Sequence, residues 1–207
     1  MNNEYGELIS CDEMHYAKVL SDTKETYTAD TPKYLAPVAE IAHESTSEAT
    51  TRYYDGKPMF STRLDSATNV TITVSGVPMK LAAELTGKPY KNGMLIDTGD
   101  SSGAPDYALS GRMELGDGGY RYFQYLKGKF AVGTETAHTK EDGVTVNTTE
   151  LTYTAVNTIH DKFDVEATKY PNGASIKGLK ADTTDTEFVG ADAWFTAVQK
   201  PTDVVAG

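Results

Sequence analysis

Cysteine is almost missing from this chain: Cys11 is the only one in 207 residues. One thiol excludes an intrachain disulfide and a Cys-rich zinc site, and it suits folding in a reducing cytoplasm. No apolar run approaches the roughly 20 residues that a membrane-spanning helix needs, so no membrane insertion is expected. The opening Met1-Asn-Asn-Glu-Tyr-Gly6 has neither the basic start nor the apolar core of a secretory signal. Basic residues are in deficit, 19 Lys and Arg against 30 Asp and Glu, which leaves a net charge of −11. Binding to nucleic acid displaces counterions from phosphates with Lys and Arg, and no basic patch or stripe is present. DNA wrapping or reading is therefore not expected. An acidic surface suits solubility, or a wall past which nucleic acid must move without adhering.

Leu and Ile are sparse and the hydrophobic share is only 39%, whereas Thr, Gly, Tyr and Asp are plentiful. That balance predicts an all-β protein with long polar loops, or a subunit completed by its neighbours. The length fits one domain, or one with appendages.

Residues 1–13 are polar and aperiodic, and predict an N-terminal arm. Strands are expected at 14–21 and 38–45, where Glu40, Ala42 and Glu44 share one face and Ile41 the other. Residues 46–58 read as a polar link with a turn at Asp55-Gly56. Residues 59–64 and 69–74 read as strands, the latter with Val70, Ile72 and Val74 alternating against Asn69, Thr71 and Thr73. One short flanking helix is expected over 77–87, with Pro78 in its first turn, Gly87 after its end and Leu81, Ala82 and Leu85 on one face. Short strands at 94–97 and 107–115 flank a loop at 98–106.

The densest signal is Tyr120 to Gly133, where Tyr120, Tyr122, Phe123 and Tyr125 crowd a strand-like run. The Lys127-Gly128-Lys129 break predicts a tight turn there, with a second strand returning. A turn at 140–143, a Thr-rich strand at 144–156 and a further strand at 162–169 follow. Beyond 181 the pattern weakens, although Phe188 and the run 191–198, with Trp194 and Phe195, offer an apolar dock for the C-terminus. The expected organisation is an arm (1–13), a β domain (14–180) and a C-terminal segment (181–207).

Several chemical motifs fail on inspection. Leu95-Ile-Asp-Thr-Gly99 has the letters of an aspartic-protease loop, but that chemistry needs two carboxylates sharing a proton and one copy is present. Gly99-Asp-Ser-Ser-Gly103 resembles the surroundings of a trypsin-like serine with His43 as base, yet the spacing is far too short. His15, His43, His138 and His160 are scattered without metal-ligand spacing and read as ordinary surface or sheet positions. Asp97, Asp100 and Asp106 miss the oxygen spacing of an EF-hand loop. No phosphate-binding glycine motif precedes a helix, and the sequons at Asn69 and Asn147 lack a secretion signal. No enzyme activity, metal or cofactor is expected.

A set of segments carries a family likeness in consistent order: His15-Tyr-Ala-Lys18, Thr31-Pro-Lys-Tyr-Leu-Ala-Pro-Val38, Tyr53-Tyr-Asp-Gly56, Val77 to Gly87, Lys91-Asn-Gly-Met-Leu95, Tyr120 to Phe130 and Trp194-Phe195. With these the chain resembles the major tail proteins (tail tube proteins) of long-tailed, non-contractile bacteriophages over most of residues 14–199. The resemblance implies a β-sandwich or half-barrel with one helix, closing into a ring barrel when hexamers form. Rings then stack into a tube that conducts DNA, as cargo only, into the host. It implies partners of three kinds (tape measure, tail terminator and distal tail proteins) besides further copies of the chain, and a place in the virion tail after assembly in the bacterial cytoplasm. Under this likeness Glu40, Glu44 and Glu48 are candidate lumen or ring-edge acids. Thr51, Arg52, Tyr53, Tyr54 and Asp55, within 46–58, are candidates for a ring-stacking loop, and the two termini for inter-ring contacts. Tyr120, Tyr122, Phe123, Tyr125, Trp194 and Phe195 are candidate core or subunit-contact aromatics. Two alternatives stay open: a tube subunit of a phage-derived secretion or contractile device, and a glycan-binding β-sandwich.

Overall fold

Val70, Ile72 and Val74 are fully buried, while Asn69, Thr71 and Thr73 between them lie on the opposite face. This period of two, repeated along strand after strand, builds the protein. The structure is a computed structural model that describes residues 6–100, 102–135 and 148–204, and the side chains of all of these except 46, 48, 62–65, 134 and 135. The turn expected at 140–143, His138, the sequon at Asn147 and the start of the strand expected at 144–156 lie outside the described residues.

The strands are β1 (Leu8–Asp22), β2 (Tyr27–Ala29), β3 (Lys33–Tyr34), β4 (Val38–Tyr54), β5 (Lys57–Val74), β6 (Tyr90–Lys91), β7 (Met94–Leu95), β8 (Tyr107–Leu115), β9 (Tyr120–Glu135), β10 (Thr149–Ala155) and β11 (Gly178–Asp182). One helix, α1, spans Met79–Thr86. The fold is all-β, with a single short α-helix among the described residues. The main sheet runs β2-β1-β8-β9-β10-β5-β4, antiparallel throughout, with β3 added to β1 and β11 to β9. It curls like a half-barrel: Val38 and Ile41 of β4 pack on the same core as Met14 and Tyr16 of β1, with Cys11 of β1 against it too. Helix α1 plugs this curl with Leu85, fully buried, and Leu81. Gly87 ends it in the left-handed conformation (φ 70°). The helix is tied to β8 by the Tyr107 hydroxyl, which donates to the Glu84 carbonyl at 2.8 Å.

Strand β9 is the axis of the sheet. One edge pairs with β8; the other pairs with β11 over Arg121–Tyr125 and then with β10 from Gly128 onward. The tight turn expected at Gly128 does not form. Gly128 instead lies mid-strand, opposite both Tyr107 and Ala155, where a Cβ would collide with the Thr154 carbonyl oxygen and the Tyr153 ring. Glycine serves here for close approach and not for a turn. Tyr153 is fully buried, packs on Phe130 at 4.9 Å and donates to the Tyr107 carbonyl at 2.8 Å.

Other boundaries also move. Strand β1 begins at Leu8, so residues 8–13 belong to the sheet and not to an arm. The strands expected at 59–64 and 69–74 are one strand, and the polar link at 46–58 is strand, turn and strand. Residues 162–169 form no strand beyond the isolated bridges of Phe163 to Ala174 and Asp203. Strand β11 crosses the expected boundary at 180/181. A Gly128→Val substitution should lower stability by about 1–3 kcal/mol through overpacking against Tyr153. Urea unfolding would measure it, and an unchanged midpoint would contradict the close-approach role.

Candidate functional site

Strands β4 and β5 form an antiparallel hairpin that runs from Val38↔Val74 to Tyr54↔Lys57, with irregularities between Val38 and Glu40, Ser45 and Ser47, and Arg52 and Tyr53. Its turn residues, Asp55 and Gly56, both have positive φ (50° and 73°), the geometry that a two-residue hairpin loop requires. The base of the hairpin belongs to the main sheet, since β10 pairs with β5 from Thr68 to Val74. The register shifts between Ser45 and Ser47, where the β10 ladder ends. Beyond that point β4 and β5 pair with each other alone, among the described residues. The result is a two-stranded arm about 25–30 Å long at the usual rise per strand residue.

Every residue from 49 to 61 is exposed, and the arm carries large apolar groups into solvent: Tyr53 is 67% exposed, Tyr54 53%, Met59 69% and Phe60 56%. Arg52 lies opposite Phe60 and Tyr53 opposite Pro58, so neighbouring pairs place apolar groups on both faces. A ribbon of two strands has no core of its own and is marginally stable in water. The candidates Thr51, Arg52, Tyr53, Tyr54 and Asp55 thus sit together at the tip of an arm, with Met59 and Phe60 from the return strand beside them. Sequence reading missed those two as site residues, although they open the strand expected at 59–64, just beyond the turn signal.

At the base, the outward face of the hairpin is polar and regular. Glu40, Thr73 and Glu150 form one cross-strand row, Ala42, Thr71 and Thr152 the next, and Glu44, Asn69 and Thr154 the third. Thr154 Oγ1 donates to Asn69 Oδ1 at 2.9 Å. Glu40 and Glu44 are exposed, as the alternation predicted, and Glu150 joins them from β10. Sequence reading passed over Glu150, although the alternation in Thr149–Ala155 places it opposite buried Leu151. Glu48 is paired with Leu64 in the backbone ladder of the arm, and its side chain lies outside those described.

The aromatic candidates are used inside the chain. Phe123 and Tyr125 point into the main core, whereas Tyr122 points outward beneath Trp194 (5.4 Å), Phe195 (5.8 Å) and Phe188 (5.9 Å). Phe195 also stacks on His15 at 4.5 Å. Tyr120 lies under the Arg112 guanidinium, itself bidentate to Asp12. Gln124 fastens the same covering segment, accepting the Gln199 amide at 3.1 Å and donating to its carbonyl. These residues dock the C-terminal segment on β9.

The protease-like loop is held by ordinary pairs. Asp97 meets Lys88 Nζ at 2.9 Å and accepts the Gly99 amide, Asp100 accepts the Ser102 amide, and Asp106 meets Lys129 Nζ at 3.2 Å. Lysine contacts lower the Asp97 carboxyl below its usual range. Ser101 lies outside the described residues. Among the described residues no group of three His, Cys, Asp or Glu could hold a metal ion, and no helix is long and apolar enough to cross a membrane.

His43, between Glu40 and Glu44 in β4, faces inward. Its ring packs edge-on against Phe123 at 4.7 Å, and Nδ1 lies 3.0 Å from the Tyr125 hydroxyl, while Nε2 is buried without a hydrogen-bond partner among the described residues. Burial first, and the Lys180 charge second, push its pKa down from 6.5 to about 4. No family model matches the chain, and no curated protein is significantly similar to it.

The unfolded chain takes up the His43 proton near 6.5 and the folded chain only near 4. Stability from this site is thus complete above the higher value and is lost as pH falls through the interval. The loss should be on the order of 2 kcal/mol once the partial exposure of the ring is allowed for. Denaturant unfolding of wild type and His43→Gln at both ends of the interval should show the extra acid loss in wild type alone.

Proposed function

We propose that the chain is a non-enzymatic structural subunit that assembles with copies of itself into stacked hexameric rings, forming the tail tube of a long-tailed bacteriophage. The observation that carries this reading is the arm. A two-stranded ribbon with Tyr53, Tyr54, Met59 and Phe60 in solvent gains order and buries apolar surface by docking on another molecule. A second feature supports the same reading: among the described residues β4 ends the sheet, and a long edge strand is a template for backbone pairing unless something covers it. Joining edges around a ring removes the liability, as closure does in any barrel.

The Thr-rich rows holding Glu40, Glu44 and Glu150 suit the inner wall of such a tube. They offer carboxylates and short hydroxyls but no cation, so a phosphate backbone would be repelled and slide past. In this reading the chain functions in the virion tail, with tape measure, terminator and distal tail proteins as further partners and DNA as cargo.

Electron microscopy of the purified protein, alone and with tail factors, should show rings or tubes. Replacing residues 52–60 by a two-residue Asn-Gly turn should leave a folded monomer, with circular dichroism and thermal unfolding close to wild type, and abolish stacking. Tyr53→Ser with Phe60→Ser should weaken it in the same direction. Tubes of wild-type length from the shortened chain would remove the arm from assembly. Wild type that stays monomeric under every assembly condition would remove the function.

A further inference from the structure

The base of the sheet, at the end opposite the arm's tip, holds a second exposed apolar surface. Val74, Thr149 and Glu135 share one cross-strand row. From that row β5 runs back to Lys57, about 55 Å at the usual strand rise. Helix α1 follows Val74 after four residues, and the β6–β7 hairpin follows the helix, with Tyr90 paired to Leu95. A groove of about 320 Å³ opens there, lined by Met79, Ala82 and Thr86 of α1, Leu95 of β7, and Val132 and Gly133 of β9. Lys88 lines it too and is held by Asp97 at 2.9 Å. Met79 is about half exposed, and Met94 and Ile96, on either side of Leu95, are exposed as well.

Adjacent strand residues point to opposite faces, so a groove lined by both Val132 and Gly133 runs along the edge of β9. That edge is open. Strand β8 pairs with β9 only as far as Gly128, and among the described residues no strand takes its place over 129–135. The groove therefore offers backbone groups beside apolar side chains, the combination that receives an added strand or hairpin. Its charge suits a second copy. The chain carries −11, and copies repel where their acids gather. Over 79–100 the lysines at 80, 88 and 91 are balanced by Glu84, Asp97 and Asp100, and over 52–60 Arg52 and Lys57 face Asp55 alone. Neither the groove's segment nor the arm's tip shares the acidic excess of the whole, so apolar contact between them is not opposed.

We propose that the groove between α1, β7 and β9 seats the tip of the β4–β5 arm, residues 52–60, of a second copy of this chain. Tip and groove lie at opposite ends of the same strands, so each copy offers one at either end. Such a contact is heterologous and repeats head to tail, every copy using both surfaces once. Tyr53, Tyr54, Met59 and Phe60 leave water among Met79, Ala82, Leu95 and Val132. The seat rests on the reading of the arm as an assembly element, and it stands or falls separately from the tail tube.

Two altered chains test the seat: the chain shortened at 52–60 to Asn-Gly, and Met79→Glu with Leu95→Glu. Met79 is exposed in the first turn of α1, where a carboxylate is favoured, so Met79→Glu alone should keep the fold if the double change does not. Each altered chain by itself should self-associate about tenfold or more weakly in sedimentation, the loss of one buried large apolar side chain. Mixed one to one they should join in pairs, of chains or of rings, the arm of one in the groove of the other, and grow no further. A second measurement leaves the groove intact. Phe60→p-benzoylphenylalanine, irradiated in a mixture of 14N and 15N chains, should give mixed-isotope adducts at 79–95 or 132–133. Tubes of wild-type length from Met79→Glu, a mixture that does not pair, or adducts confined to other residues would overturn the seat and leave the tail tube standing. Pairing and groove adducts in a protein that builds no rings would keep the seat and remove the tail tube. Wild type that never self-associates would remove both.

Discussion

Everything else in this molecule is arranged around the burial of β9 on both faces and its pairing along both edges. Phe123, Tyr125 and Phe130 point into the curled sheet, while Tyr122, Gln124 and Leu126 point the other way and are buried too. A strand in that position reads as a nearly continuous aromatic and apolar run, because neither face meets water. It also needs cover on its outer side. The segment from β11 to Val204 supplies that cover, through Trp194, Phe195 and Phe188 on Tyr122 and through the Gln199 backbone on the Gln124 amide. The segment 178–204 is therefore part of the fold and not an appendage.

The contrast with the β4–β5 hairpin is physical. Its base obeys the same alternation, with Val70, Ile72 and Val74 inside and the Glu40, Glu44 and Glu150 rows outside. Past Thr68 the third strand ends and the same two strands run on with no core beneath them. Residues that fill the interior elsewhere, tyrosine, phenylalanine and methionine, stand here in water. The same molecule covers β9 on both faces yet, among the described residues, leaves the β4–β5 hairpin uncovered beyond Thr68, and that asymmetry is the basis for proposing assembly. The polar rows at the hairpin's base carry carboxylates of one charge sign and no basic residue.

Ionic and polar links do a different job: they join segments that are remote in the chain. Lys127 and Asp22 tie β9 to β1, with Asp22 also taking the Ile159 and His160 amides. Arg121 and Asp182 tie β9 to β11 by two bonds of 2.7 Å. In each case the pair joins segments far apart in sequence. The scattered histidines fall into the same pattern. His15 stacks on Phe195 and His43 packs edge-on against Phe123, while His160, expected at an ordinary surface or sheet position, is fully buried.

Local periodicity was enough to place the faces of Val70–Val74 and Glu40–Glu44, the limits of β8, and α1 with its terminal glycine, because each depends on neighbours a few residues away. The turn at Asp55-Gly56 was legible for the same reason. What periodicity could not supply was partnership. Glycine between two lysines is the pattern of a turn, and only Tyr153, 25 positions further on, makes it a point of close approach inside a straight strand. A polar, Thr-rich stretch such as 46–54 looks like a link until its opposite number, 57–67, is seen in register beside it. The polar run after 181 gives no hint that Gln199 and Asp203 are anchored by Gln124 and His160. Which face a residue takes is set by its own strand, whereas which edge it pairs with, and what covers it, is set by residues far along the chain.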